Sequence, residues 1–292
     1  MILRDKPGIL ALLFAVRGSV LPHIAPQLLF VALFSAAIVA IDRHVLTLPH
    51  VQAAPLAVFG VALSLFLGFR NNAAYDRWWE ARRLWGGLLA DARSIAREAE
   101  IFLNDPADRR RLLTAMRAFL HQHRCALRDL PPDAEALRDA HAAPTPDATL
   151  DAMSVHLGDA LRHGRLDGFG ARTLSTRLST IALAQAGCER IRLTPLPYVY
   201  SLLIFRTSWL YCLLLPFALL EPTGWLTPLF AVIVAYTFFG LAEVTEELAH
   251  PFGKTANALP LDAICRTAEI SLAPHLDEPA PPPLQPVDYR LD

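Results

Sequence analysis

Charge is scarce in this sequence. Of its 292 residues only 19% are Asp, Glu, Lys or Arg, where a soluble domain carries about 25%. The 27 basic residues nearly cancel the 28 acidic ones, for a formal net charge of −1. That balance excludes a basic nucleic-acid binder and a highly charged disordered chain. Cysteine is scarce as well. Cys125, Cys188, Cys212 and Cys265 include no C-x-x-C pair, which excludes a disulfide scaffold and a zinc ribbon and implies reduced thiols. Glycine-rich phosphate loops, H-E-x-x-H and G-x-S-x-G are missing. No strand-type alternation persists and no internal repeat is visible. The one close histidine pair, His121 and His123, diverges on a helix at i, i+2, so it makes no metal site. The other histidines are scattered and read as solvated. With no nucleophile–base set and no metal or cofactor motif, the sequence does not describe an enzyme.

What the sequence has instead is apolar length. Hydrophobic residues make up 53% of the chain, and the mean hydropathy is +0.32. Four stretches approach the roughly 20 residues that a membrane-spanning helix needs: 26–41, 53–69, 196–220 and 224–242. The first becomes long enough with its flanks, and the third is interrupted by Arg206. The connections 42–52 and 221–223 are short and hold one arginine between them. Segment 70–193 holds 19 of the 27 basic residues. The positive-inside rule then places that segment and both termini in the cytoplasm, with two tight hairpins outside. At the N-terminus, basic residues precede a short apolar run that Arg17 closes, and no A-x-A cleavage site follows. This reads as an amphipathic helix at the membrane surface.

The cytoplasmic part is helical in character. Residues 70–103 contain no proline and follow the second span with no breaker but Gly68, so one long helix is expected to run out of the membrane. Asn104-Asp105-Pro106 is a stop and a new start, 107–128 reads as a helix, 131–146 as a loop, and 150–190 as two helices broken around 164–170. The tail after Leu272 is proline-rich and extended. The expected organisation is an N-terminal interfacial helix (1–20), transmembrane helices 1 and 2 (21–69), a cytoplasmic helical region (70–195), transmembrane helices 3 and 4 (196–248) and a C-terminal segment with an extended tail (249–292).

Within the second span, Val61, Leu65 and Phe69 fall at i, i+4 and i+8 on one stripe. The small residues Gly60, Ala62, Ser64 and Gly68 between them permit close helix approach. Several such helices around an axis would make a narrow apolar tube that gates by dewetting; alternatively the stripe faces lipid. Beyond it comes the cluster Arg70, Asn71, Asn72, Tyr75, Asp76, Arg77, Trp78, Trp79 and Glu80, with Trp78, Trp79 and Trp85 suited to the membrane interface. Arg206 is an intramembrane charge that calls for an acidic partner or a watery cavity. Glu243, Glu246 and Glu247 are the nearest acids along the fourth span, and the sequence does not choose among them.

These residues resemble the bestrophin family in its bacterial branch. GFRNNAAYDRWWEARRLWG (68–86) looks like the family signature, Arg17-Gly18-Ser19 like the motif before the first span, and FRTSWLYCLLLPFAL (205–219) and Pro251-Phe252-Gly253 like the later spans and their exit. The resemblance covers most of the chain, least so 131–146 and the tail. It implies an all-α membrane protein, four transmembrane helices per subunit with a large helical cytoplasmic region, forming a homopentamer around a central pore. It implies that Val61, Leu65 and Phe69 line an apolar neck, that Ile181 forms a second, cytoplasmic constriction, and that Arg70, Asn71, Asn72, Asp76, Arg77, Trp78 and Trp79 are signature residues of structural importance.

The sequence departs from the family after Pro251-Phe252-Gly253. Lys254 to Asp262 contain one aspartate where eukaryotic relatives hold calcium in an acidic cluster, and Ca²⁺ takes six or more oxygens with several carboxylates. No calcium clasp and no metal or cofactor is expected. The expected partners are further copies of the chain, monovalent ions and membrane lipid, with no nucleic acid, in a bacterial inner membrane. The branch resembled favours monovalent cations. The alternatives are a chloride or other anion channel, a non-channel carrier, whose inverted repeats are missing here, and a membrane-tethered scaffold.

Overall fold

In a computed structural model of the chain, residues 1–2, 8, 15, 18–49, 51–139 and 143–292 are described. The helix expected at 1–20 lies almost wholly outside the described residues. Among the described residues the architecture is helical, with no strand and only the isolated bridges Ile2–Arg290 and Val287–Arg290. Nine α-helices are described: α1 (Leu21–His44), α2 (Ala53–Phe102), α3 (Pro106–Leu127), α4 (Ala134–Arg138), α5 (Pro146–Arg162), α6 (Gly168–Leu193), α7 (Tyr198–Thr223), α8 (Thr227–Ala249) and α9 (Leu261–Leu272). Three continuous stretches are long and apolar enough to cross a membrane, 21–44, part of 53–102, and 198–249. The chain divides into an apolar unit, 5–78 with 195–249, and a polar unit, 1–4 with 79–194 and 250–292.

In the apolar unit α1 packs along α8 and α7, and α7 packs on α8. The core holds Ile24, Val31, Leu56, Leu63, Leu67, Ile204 and Phe239. Phe59, Tyr211 and Phe238 form an aromatic run, with ring centroids 5.7 and 5.2 Å apart. Gly60 is what lets Tyr211 in: a Cβ there would lie 2.8 Å from the phenol oxygen. Of the small residues between the stripe positions, Gly60 therefore serves close approach, whereas a Cβ at Gly68 would meet nothing within 4 Å. α7 and α8 are joined by a 3-10 turn, Gly224–Leu226. Gly224 has φ +51°, and a Cβ on it would sit 2.7 Å from a guanidinium nitrogen of Arg43, so the turn requires glycine. At the end of α1, Asp42 accepts from the Leu48 amide at 2.8 Å and folds the short connection back.

The polar unit is built around α3, which is buried along most of its length. The expected stop and new start at 104–106 is a capped helix start, and two further helices open in the same way. Asp105 accepts from Ala107 N–H ahead of Pro106, Thr145 opens α5, and Asp167 opens α6 by accepting from Gly170 N–H at 2.6 Å. The segment expected as loop, 131–146, contains the short helix α4, opened by Asp133. Three further expectations are corrected here. Trp85 is fully buried, stacked 5.5 Å from His123, which stacks in turn 5.7 Å from Phe119; it is a core residue, not an interfacial one. His156 is buried, its Nε2 3.1 Å from the Asp108 carbonyl oxygen, not solvated. Ile181 is 0% exposed, packed inside its own subunit. A residue that lines a pathway must offer it surface, and Ile181 offers none. All four cysteines are free and buried.

Candidate ion pathway

The first half of α2 has two faces of different fate. Leu56, Gly60, Leu63, Leu67, Arg70 and Ala74 are buried, at alternating spacings of three and four, the pattern of one helical stripe packed into its own subunit. The opposite face carries Val61, Leu65 and Phe69, which are 63%, 57% and 67% exposed. At 1.5 Å per residue the three span about 12 Å. Farther along the same face the exposed residues turn polar, at Asn72 and Asp76. The subunit thus leaves uncovered an apolar stripe that ends where charge begins.

The signature that follows divides between the two faces. Arg70 turns inward, where one guanidinium nitrogen donates to Glu246 at 2.6 Å and to Ser201 at 2.9 Å. Thr245 Oγ1 lies 3.4 Å from Asn71 Oδ1, and Arg77 Nε donates to the Ala249 carbonyl at 2.8 Å. Arg70, Asn71 and Arg77 therefore tie α2 to the last turns of α8, which fixes the rotation of the helix and with it the direction of the exposed stripe. Tyr75 and Trp78 stack at 6.4 Å; Asn72, Asp76 and Trp79 are exposed. Ser201 and Glu246 were not singled out as partners of Arg70 in the sequence. The signal available was that Glu246 is one of three acids at the end of an apolar helix, where a buried cation could reach it.

Arg206 lies in the third turn of α7 and is exposed, with no ion-pair partner among the described residues. Of the three acids nearest it along the fourth span, Glu246 is taken by Arg70.

In the polar unit Asp262 accepts from Arg124 at 2.6 Å on one oxygen and from Arg128 at 2.6 Å on the other. Burial alone would raise its pKa, but the two guanidiniums outweigh that and hold it below the usual carboxylate range. Arg124 also pairs with Asp133. The one carboxylate of 254–262 is thus already neutralised by arginine. His121 and His123 diverge as expected. His121 lies 3.1 Å from Glu269, while both ring nitrogens of His123 are buried with no hydrogen-bond partner among the described residues. Burial pushes the His123 pKa down to about 3. Arg177 of α6 joins Asp91 and Glu98 of α2 at 2.9 and 2.6 Å, and on the exposed face of α6 the large apolar residue nearest Ile181 is Leu183.

Comparison with known proteins agrees with the motifs. Residues 1–274 match the family described as bacterial/fungal bestrophin protein. A voltage-dependent anion channel-forming protein of Mesorhizobium japonicum is 47% identical, over 99% of this chain and 96% of its own. The voltage-dependent anion channel-forming protein YneE of Escherichia coli is 40% identical, over 95% of each chain. A solved bacterial bestrophin homolog from Klebsiella pneumoniae superposes with a TM-score of 0.81 at 32% identity, covering 87% of this chain and 99% of that one. With matching motifs, matching helices and full-length relatives, this chain belongs to the bacterial and fungal bestrophin family.

Proposed function

We propose that this protein is a homopentameric ion channel of the bacterial inner membrane, in which five copies of α2 surround an axial pathway. Each subunit spans the membrane four times, with α1, the first part of α2, α7 and α8, and keeps both termini in the cytoplasm. Val61, Leu65 and Phe69 form the neck. The observation that carries this reading is the uncovered apolar stripe on a helix whose other face is buried. A subunit alone leaves that surface exposed, and a ring of subunits would turn it into a narrow, dewettable constriction. Exposed apolar residues of the polar unit, among them Val155, Phe169 and Leu193, supply surface for contacts between copies. For a cytoplasmic constriction, Leu183, 73% exposed on α6, replaces Ile181.

The neck bears no charge, so it resists ions by cost of dehydration and does not set their sign. Monovalent cations are the expected carriers from the branch the sequence resembles. A second reading, anion conduction, is favoured by the names of the relatives from Mesorhizobium japonicum and Escherichia coli. Recording from purified protein in planar bilayers under a KCl gradient separates them. Reversal near the potassium potential supports cations, and reversal near the chloride potential supports anions. Alanine at Val61, Leu65 and Phe69 together should raise the open fraction or the conductance. Unchanged currents in that variant would remove the neck from the proposal.

A further inference from the structure

We propose that His23, Glu243 and Glu247 form a binding site for a divalent transition-metal cation of the zinc class. His23 stands in the first turn of α1, and Glu243 and Glu247 stand at i, i+4 on one face of α8 near its end. Since α1 and α8 pack along each other, these groups come from elements already held together. One ligand atom from each lies within 4.8 Å of the others. Zinc binds imidazole nitrogen and carboxylate oxygen at about 2.0–2.2 Å, so its ligand atoms sit roughly 3.4 Å apart in a tetrahedron. Small side-chain rotations close the difference.

Two further features point to a cation. First, Glu243 and Glu247 bring two carboxylates to the face of α8 that meets the imidazole of His23 on α1. Arg70 offsets Glu246. Glu247 makes a further interaction, which a carboxylate with two oxygens and about four lone-pair sites accommodates alongside a metal. Second, His23 is exposed and Glu243 and Glu247 are only partly covered, so solvent reaches the cluster and can supply the water that completes a three-ligand zinc site. One nitrogen and two oxygen donors suit zinc better than calcium or magnesium, which prefer all-oxygen shells. A bound ion would pin the start of α1 to the end of α8.

The test uses the full chain in detergent, with Zn²⁺ alone as the probe and its binding read by competition with a chromophoric chelator and by thermal unfolding. One Zn²⁺ per chain should bind, raise the unfolding temperature and be removed by a chelator. His23→Gln and Glu243→Gln should each weaken binding by more than about tenfold. His163→Gln, which alters another exposed histidine beside a carboxylate, Asp159, should leave it unchanged. Should a variant fail to fold, the native chain still decides. Zn²⁺ should protect His23 from diethylpyrocarbonate, read by peptide mass spectrometry. No saturable binding below about 1 mM, equal affinity in His23→Gln and Glu243→Gln, or equal labelling of His23 with and without Zn²⁺ would each overturn the site.

Discussion

His123 sets an acid limit on the stability of the polar unit. Its ring is sealed between Trp85 and Phe119 with neither nitrogen hydrogen-bonded to a described residue. Burial therefore disfavours the imidazolium and moves the pKa from 6.5 to about 3. The unfolded chain protonates this histidine below pH 6.5, while the folded chain does not until near pH 3. In between, the unfolded state holds the extra proton, so stability falls as pH falls. The slope is about 1.4 kcal/mol per pH unit, or roughly 2 kcal/mol between pH 6.5 and pH 5. For a chain of this size that lowers the unfolding temperature by about 4–8 °C. Asp262, Glu269 and Glu278 have lowered pKa values, so they cost stability only at more acid pH, below the ordinary values of 3.8 and 4.5. These three carboxylates therefore do not act between pH 6.5 and pH 5, and the comparison with a variant lacking only His123 isolates this histidine's share. His123→Leu keeps the volume roughly constant and removes the titrating group. Unfolding temperatures of both proteins, followed by near-ultraviolet circular dichroism in detergent from pH 8 to pH 5, should diverge below 6.5, with the variant flatter. Parallel profiles would refute the reasoning.

Three other perturbations test the remaining supports. Arg70→Ala should destabilise by about 2 kcal/mol, less than the 3–5 of a fully buried pair because the Glu246 side chain is 53% exposed; Arg70→Lys, assayed by the same melt, should recover part of the loss. Gly224→Ala forces a side chain onto a residue with φ +51° and ψ −123° and against Arg43, and should cost about 1–3 kcal/mol; an unchanged melt would show that the turn adapts. Asp262→Ala strips two buried guanidiniums of a shared partner and should cost about 3 kcal/mol, while millimolar Ca²⁺ should leave both the native melt and the native currents unaltered.

What was legible in the sequence was whatever depends on local pattern. Asp105-Pro106, Thr145-Pro146 and Asp167 announce helix starts because a short acceptor side chain meets free amides there, whatever the tertiary context. The stripe Val61, Leu65, Phe69 follows from 3.6-residue periodicity alone. What depends on partners distant in sequence was not legible. Trp85 has the composition of an interfacial residue, and only the arrival of α3 with His123 makes it core. Ile181 and Leu183 differ by two positions and about 200° around the same helix; periodicity offers both faces and does not say which one the subunit covers. The acids at the end of α8 could have served Arg206. Arg70 reaches Glu246 because its guanidinium points inward from the buried face of α2, a direction that no spacing rule in α8 reveals.

The exposed stripe itself has two possible neighbours, water in a pore or lipid, and a thiol distinguishes them. Only a thiolate reacts quickly with a charged methanethiosulfonate reagent, and a cysteine facing lipid tails stays protonated and out of the reagent's reach. The native cysteines are all buried, and burial raises the pKa of Cys188 to about 12, so background labelling should be low. Leu65→Cys, at the middle of the stripe, should therefore be modified from the aqueous phase whenever the neck is wet, with loss of current as the charged adduct fills the constriction. Phe66→Cys, one residue on and some 100° around the helix, is also exposed in the subunit yet should react far more slowly. If the two positions labelled at the same rate, or if modification at Leu65→Cys left the current untouched, the stripe would not line a water-filled pore. The axial pathway would then have to be sought on another helix.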